Sequence, residues 1–219
     1  INSVIIGLGR YDNTGHSVST AGDFNDDGFD DIIIGAPYAD FDQKREIGKF
    51  YLLFGGADGF GARPDLASLT GSNGFLILGI NSTDCTGYSV SSAGDINGDG
   101  LGDVIIGAYG ADGKRGSGYV VFGKNVSEDG DFSATLELSS LESSDGSTGF
   151  VIKGIAAGDR SGWSTSSAGD LNNDGFDDIL VGAWYADPNG VTDAGESYVI
   201  FGMETFNAVV ELDALPGLA

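Results

Sequence analysis

Three stretches of the chain are copies of one another: D-F-N-D-D-G-F-D-D from Asp23 to Asp31, D-I-N-G-D-G-L-G-D from Asp95 to Asp103, and D-L-N-N-D-G-F-D-D from Asp170 to Asp178. All read D-x-N-x-D-G-x-x-D, and their starts lie 72 and 75 residues apart. The likeness continues on both sides. Upstream stand T-G-H-S-V-S-T-A-G-D, T-G-Y-S-V-S-S-A-G-D and S-G-W-S-T-S-S-A-G-D, and downstream D-I-I-I-G-A-P-Y-A-D, D-V-I-I-G-A-Y-G-A-D and D-I-L-V-G-A-W-Y-A-D. A spacing kept through so much flanking sequence is a structural period, in which one supersecondary unit is stacked several times.

Each period holds four short runs. After the two that flank the acidic stretch come F-Y-L-L-F-G, Y-V-V-F-G and Y-V-I-F-G, ending at Gly55, Gly123 and Gly202. The fourth is G-F-L-I-L-G-I from Gly74 and G-F-V-I-K-G-I from Gly149, with N-S-V-I-I-G-L at the start of the chain as its third copy. Rich in β-branched and aromatic residues and bounded by Gly, Asn and Asp, these runs read as strands and turns. The 38 glycines against 4 prolines agree with many short strands and tight turns. I-I-I-G-A and V-V-F-G are apolar at successive positions, so both faces of those strands must be covered, as when one sheet packs between two others. Four-stranded antiparallel sheets stacked around an axis are β-propeller blades.

The expected fold is therefore all-β, with blade units at about 1–73, 74–148 and 149–219 in a single propeller region spanning 1–219. Asp23 follows 22 residues and Asp170 precedes 49, together close to one period, as if three repeats were cut at equivalent points. Closed propellers take roughly four to eight blades. Either these three belong to a larger propeller, or copies of the chain complete the ring head to tail, the strand around Val4 to Gly7 finishing another copy's last blade.

Oxygen ligands at positions one, three and five, with Gly at six for a sharp turn, describe a loop for a hard cation such as Ca²⁺. Nitrogen and sulfur donors are absent, which disfavours zinc and copper. In the first loop the ligands would be Asp23, Asn25, Asp27, the carbonyl of Phe29, and Asp31. The same roles fall to Asp95, Asn97, Asp99, Leu101 and Asp103, then to Asp170, Asn172, Asp174, Phe176 and Asp178. An EF-hand begins alike but needs an acidic residue at position twelve on a helix, where this chain has Ile34, Ile106 and Val181. Ligation has to close at position nine, inside a β-hairpin. A plain hairpin turn would need neither the first nor the ninth Asp in every copy. Asp26, Asp30 and Asp177 fall between ligand positions and are expected to be solvated.

D-x-N-x-D-G-x-x-D followed by I-I-I-G-A-P at Ile32 to Pro37 resembles the FG-GAP repeat of integrin α-subunit propellers and related bacterial surface proteins, over essentially the whole chain. The resemblance implies three structural Ca²⁺ sites, each joining the first two strands of a blade, and a role in adhesion or protein–protein interaction at a cell surface. The chain departs from the family name: Phe-Gly reads Thr14-Gly15, Thr86-Gly87 and Ser161-Gly162, while Gly-Ala-Pro survives once and becomes Gly107-Ala108-Tyr109 and Gly182-Ala183-Trp184. Related proteins also include accessory propellers of hydrolases such as a phospholipase, but no catalytic domain is visible here, and no enzyme activity is expected.

In an up-and-down blade the connections alternate ends, so binding is expected at the end opposite the acidic loops. That end gathers Arg10, Tyr11, Tyr38, Lys44, Arg45, Tyr109, Lys114, Arg115, Arg160, Trp184 and Tyr185, and the candidate ligand-binding set is Tyr38, Lys44, Arg45, Tyr109, Lys114, Arg115, Trp184 and Tyr185. Aromatic and arginine side chains on loops suit recognition. The alternative is that Tyr38, Tyr109 and Trp184 plug gaps between blades. Their matched positions also suit a lectin with one sugar per blade. His16 shares its repeat slot with Tyr88 and Trp163 and reads as an interior spacer. Gly118 to Asn125 imitates a phosphate loop, but its middle is an apolar strand and Asn125 replaces the required hydroxyl.

With 33 acidic and 10 basic residues the formal charge is -23, which repels nucleic acid and anionic membranes. No apolar run nears the roughly 18 residues of a membrane span. The single cysteine, Cys85, cannot form an internal disulfide, so metal is the obvious staple. The chain opens on Ile1 with no signal segment, which reads as a mature or trimmed segment; the resemblance and the calcium loops imply an extracellular or cell-surface setting.

Overall fold

The computed structural model describes residues 3–61 and 63–215; the outer ends of the first and third sequence units, 1–2 and 216–219, lie outside the described residues. Three antiparallel sheets follow one another along the chain. The first comprises β1 (Ser17–Gly22), β2 (Asp31–Ala36), β3 (Lys49–Leu53) and β4 (Gly74–Leu78) in that spatial order. In the second, β5 (Ser89–Gly94), β6 (Asp103–Ala108) and β7 (Ser117–Val121) lie in order, and β9 (Gly149–Lys153) takes the fourth place. The third holds β10 (Ser161–Gly169), β11 (Asp178–Ala183) and β12 (Glu196–Ile200). They are blades of a β-propeller, and the first strands adjoin, β1 against β5 and β5 against β10.

The sequence units are offset from the sheets. β4 and β9 open the units that start at 74 and 149, yet each closes the preceding sheet, because β3 pairs with β4 and β7 with β9 antiparallel. Gly74 and Gly149 start these strands with φ +127° and +135°, and a Cβ on either would lie 2.3 Å from the Leu52 carbonyl oxygen or 2.2 Å from that of Val120. Glycine alone permits so close a backbone approach.

Two short strands bind each blade to the next. β8 (Thr135–Glu137), in the connection that leaves blade two after β7, pairs parallel with β4 of blade one, and β13 (Val209–Glu211) pairs parallel with β9 of blade two. Phe132 and Phe206 precede them and fill matching sockets. Phe132 stacks on Phe75 at 4.8 Å, and Phe206 on Phe150 at 4.1 Å. Three four-residue helices, α1 (Ala111–Lys114), α2 (Val126–Asp129) and α3 (Ser139–Glu142), decorate the connections, and Asn125 caps α2 by accepting from the Ser127 and Glu128 amides.

The apolar runs do sit between sheets: Ile33, Ile105, Leu52 and Val120 are fully buried. Within this one chain residues 3–7 pair with no strand; Ile5 packs on blade one while Val4 and Ile6 stay more than half exposed. A strand needs a hydrogen-bonded neighbour, and none lies beside this segment among the described residues. Gly118 to Val121 belongs to β7, so no phosphate loop forms. Among the described residues no helix is long and apolar enough to cross a membrane.

Candidate functional site

The acidic loops occupy the hairpins between β1 and β2, β5 and β6, and β10 and β11. Gly28, Gly100 and Gly175 at the sixth position have φ of +88°, +89° and +97°, which lets the chain fold back over its first residue. In the first loop Asp23 Oδ1 accepts from the Asp27 amide and Oδ2 from the Gly28 amide, each at 3.0 Å. Asn25 donates through Nδ2 to Asp27 Oδ2 at 3.0 Å, and Asp27 Oδ1 accepts from the Phe29 amide at 3.0 Å. Asp31 is fully buried; its Oδ2 accepts from the Phe24 amide at 3.0 Å and its Oδ1 from the Gly55 amide at 2.7 Å. The ninth position thus ties the hairpin to the end of β3.

The third loop repeats this. Asp170 accepts from the Asp174 and Gly175 amides, Asn172 donates to Asp174, Asp174 accepts from the Phe176 amide, and Asp178 accepts from those of Leu171 and Gly202. In the second, Asp103 accepts from the Ile96 and Gly123 amides, Asn97 donates to Asp99, and Asp99 accepts from the Leu101 amide. Asp95 differs: Oδ2 accepts from the Gly100 amide, while Oδ1 is buried without a hydrogen-bond partner. Burial pushes the Asp31 carboxyl up to about 7 and that of Asp103 up to about 8, against the lowering effect of their amide bonds. Desolvation disfavours an isolated carboxylate, and a nearby cation reverses that preference.

The donor set fits a hard cation. Every candidate side chain offers oxygen, the buried Asp95 Oδ1 is unmatched, and each accepted amide leaves a carboxylate oxygen a further lone pair. Among the described residues no three Asp, Glu, His or Cys side chains form a metal-holding group by themselves; a loop of this type also draws on an amide and a backbone carbonyl. Asp26 and Asp30 are exposed, but Asp177 is not simply solvated. Its Oδ2 accepts from the Asp95 amide at 2.9 Å, joining the third loop to the second. A carboxylate at position eight can do this because that position faces the preceding blade.

At the opposite end the aromatic residues assemble into one array across the blades. His16 meets Tyr88 at 4.5 Å, Tyr88 meets Tyr109 at 4.7 Å and Trp163 at 4.8 Å, and Trp163 meets Trp184 at 4.9 Å. Trp184 stacks on Tyr185 at 5.5 Å and 25°. Arg160 lies over the Tyr185 ring at 4.2 Å and also faces Trp163 and Tyr109 at 5.6 and 5.8 Å. Tyr38 joins through an edge contact with His16 at 6.2 Å. His16, the expected spacer, is exposed, with Nδ1 at 3.2 Å from the Tyr88 carbonyl oxygen. Tyr88 and Trp163 belong to the array although the sequence reading set them aside. Their recurrence at the head of each first strand, just before β1 and β5 and inside the start of β10, is the signal, since a blade brings that position to the same end as the residues following the second strand.

The basic members are dispersed. Lys44 Nζ donates to the Ile80 carbonyl at 2.7 Å, the Arg45 amide donates to Ser82 Oγ, and Arg115 pairs with Asp112 at 3.5 Å. Lys114 is exposed, and its carbonyl accepts from the Gly158 and Arg160 amides, which fixes Arg160 beneath the array. Burial raises the phenols of Tyr38 and Tyr109, which therefore stay neutral hydrogen-bond partners.

A family model described as FG-GAP repeat matches residues 14–53, 86–122 and 161–200. Integrin alpha pat-2 of Caenorhabditis elegans is 33% identical over 122 residues, 56% of this chain and 9% of the relative. Integrin alpha-PS2 of Drosophila melanogaster is 29% identical over 184 residues, 82% of this chain and 12% of the relative. Integrin alpha-7 of Homo sapiens is 29% identical over 171 residues, 77% of this chain and 12% of the relative. The chain thus spans 9% to 12% of the length of these curated relatives.

Proposed function

The chain belongs to the FG-GAP repeat family, and from that premise we propose that it is a non-enzymatic, calcium-stabilised recognition module of an exported or cell-surface protein, serving adhesion or protein–protein interaction. The observation that carries this reading is the aromatic array around Arg160, which spans all three blades at the end away from the acidic loops. Trp184 is 55% exposed there, and aromatic and arginine side chains are what recognition surfaces concentrate.

Calcium would be held by Asp23, Asn25, Asp27, Asp31 and the Phe29 carbonyl, and by their counterparts in the other two loops. Its contribution is charge neutralisation of the hairpin carboxylates. Three ions would bring the formal charge from -23 to -17. Binding only the folded chain, each site would add about 2.7 kcal/mol at a hundred times its dissociation constant. At about 2–4 °C per kcal/mol for a chain of this size, three sites would raise the melting temperature by roughly 15–30 °C.

Adhesion is measured with cells of an adherent line on plates coated with the chain in millimolar calcium. Attachment should fall to background in the Trp184→Ala/Tyr185→Ala variant at an unchanged melting temperature. Full attachment of that variant refutes the aromatic end as the surface, and absence of attachment to the parent chain refutes adhesion. Superimposed melts in calcium and in chelator would remove the metal from the reading. A second reading is favoured by the near-parallel Trp184–Tyr185 pair, a flat platform for a sugar ring. In that lectin reading a glycan array gives specific binding lost in the same variant, and a blank array ends it.

A further inference from the structure

The second acidic loop is held differently from the other two. In loops one and three the first carboxylate closes on its own loop through both oxygens, Asp23 and Asp170 each accepting from the amides at positions five and six. In loop two the Asp99 amide turns to Asn97 Oδ1 at 3.0 Å. Asp95 keeps the Gly100 bond, and among the described residues its Oδ1 is buried without a partner.

Asp95 is instead gripped from the neighbouring blade. Asp177, the eighth residue of loop three, donates its amide to the Asp95 carbonyl at 3.0 Å, and its Oδ2 accepts from the Asp95 amide at 2.9 Å. The two bonds fix the peptide groups on both sides of Asp95, and with them the Cα from which its carboxylate springs. The junction between blades one and two has the backbone half of this arrangement alone. There the Gly102 amide donates to the Asp23 carbonyl at 3.0 Å, and Gly102 has no side chain to accept in return. A Cβ on Gly102 would lie 2.3 Å from the Ala21 carbonyl oxygen, so the backbones approach too closely there for a carboxylate.

Glycines of blade two make room for loop three. A Cβ on Gly94 would lie 2.1 Å from Asp177 Oδ2, and a Cβ on Gly98 would lie 2.5 Å from the Phe176 ring. Gly98 stands where loops one and three carry Asp26 and Asn173, so only loop two has no fourth-position side chain to obstruct that ring.

Resting on the calcium reading of the loops, we propose that Asp177 is a positioning residue for the cation site of loop two, which makes calcium binding there depend on the docking of blade three. The unmatched Asp95 Oδ1 is the ligand atom so positioned. A hydrogen bond that pins a ligand residue beforehand removes freedom it would otherwise lose on binding. Outer partners of this kind typically govern metal affinity by about 10–100-fold. By reciprocity the cation strengthens the Asp95–Asp177 pair as much as the pair strengthens the site, so calcium in loop two also fastens blade three to blade two.

The test adds calcium stepwise to the isotope-labelled 219-residue chain and follows by NMR the amides of Gly28, Gly100 and Gly175, one in each loop. In Asp177→Ala the calcium concentration that half-saturates the Gly100 shift should rise about 10–100-fold, with that of Gly28 unchanged. Asp30→Ala gives the cost to a loop of losing its own eighth-position carboxylate, and Gly175 in Asp177→Ala should respond by no more than that. Asp177→Asn keeps an oxygen acceptor for the Asp95 amide and should restore most of the affinity at Gly100. In the parent chain, calcium should slow hydrogen exchange of the Asp95 amide, a readout that needs no variant. The proposal is overturned by an unchanged Gly100 response in Asp177→Ala, by equal weakening at all three glycines, by an Asp177→Asn variant as weak as Asp177→Ala, or by an Asp95 amide that exchanges freely in the calcium-loaded chain. Those outcomes leave the calcium reading standing. If no glycine of the parent responds to calcium, that reading falls and the proposal with it.

Discussion

Phe206→Ala tests the claim that each blade is fastened to the one before it by an aromatic socket. Phe206 is 6% exposed. Its ring lies 4.1 Å from that of Phe150 at 11° and 6.0 Å from Phe122, and the residues after it form β13. Truncating a buried Phe costs about 3–5 kcal/mol, part of it from the cavity left behind. Here a cavity of about 300 Å³ lined by Asn97, Phe122, Asp145 and Phe206 already adjoins the ring, so water can enter the new space and the lower figure applies. At about 2–4 °C per kcal/mol, a loss of about 3 kcal/mol lowers the melting temperature by roughly 6–12 °C. Phe132→Ala supplies the comparison, since Phe132 is only half-buried although it stacks on Phe75 and touches Phe24 and Phe54. Its loss should cost about 2 kcal/mol, within the range for uncovering a large apolar side chain. Both melts are followed by circular dichroism under one buffer. A Phe206→Ala shift below roughly 2 °C, or one smaller than that of Phe132→Ala, would refute the socket as a fastening.

Two further perturbations probe backbone and charge. Gly149→Ala places a Cβ 2.2 Å from the Val120 carbonyl oxygen at φ +135°; a destabilisation of about 1–3 kcal/mol is expected, read as a shifted denaturation midpoint, and a neutral variant would contradict the close approach. Asp84 is buried, and its carboxyl is raised chiefly by desolvation despite the Asn81 amide bond. A raised folded-state value means that the ionised form weakens the fold, and that this penalty fades as pH falls through the raised value toward 3.8. Asp84→Asn should therefore melt higher than the parent at pH 7, with the difference shrinking in acid; a lower melt at pH 7 would show that the charge is needed.

What the sequence determined by itself was local and repeated. The period, the strand runs, the hairpin position of D-x-N-x-D-G-x-x-D and the glycine at its sixth place are written in patterns a few residues long, because turn geometry and strand burial constrain residues where they stand. Tyr38, Tyr109 and Trp184 were legible as recurring aromatics for the same reason. What only the tertiary structure decided involves partners far apart in the chain. β8 and β13 are three residues each and are strands only because β4 and β9 offer them an edge. His16, Tyr88 and Trp163 become a surface array only when three blades bring one repeat slot to one end. Asp177 and Asp30 share a repeat position, yet Asp177 meets the Asp95 amide while Asp30 faces solvent. Residues 3–7 carry the pattern of a strand and pair with none within this one chain, because a strand is completed by a neighbour's hydrogen bonds and not by its own composition.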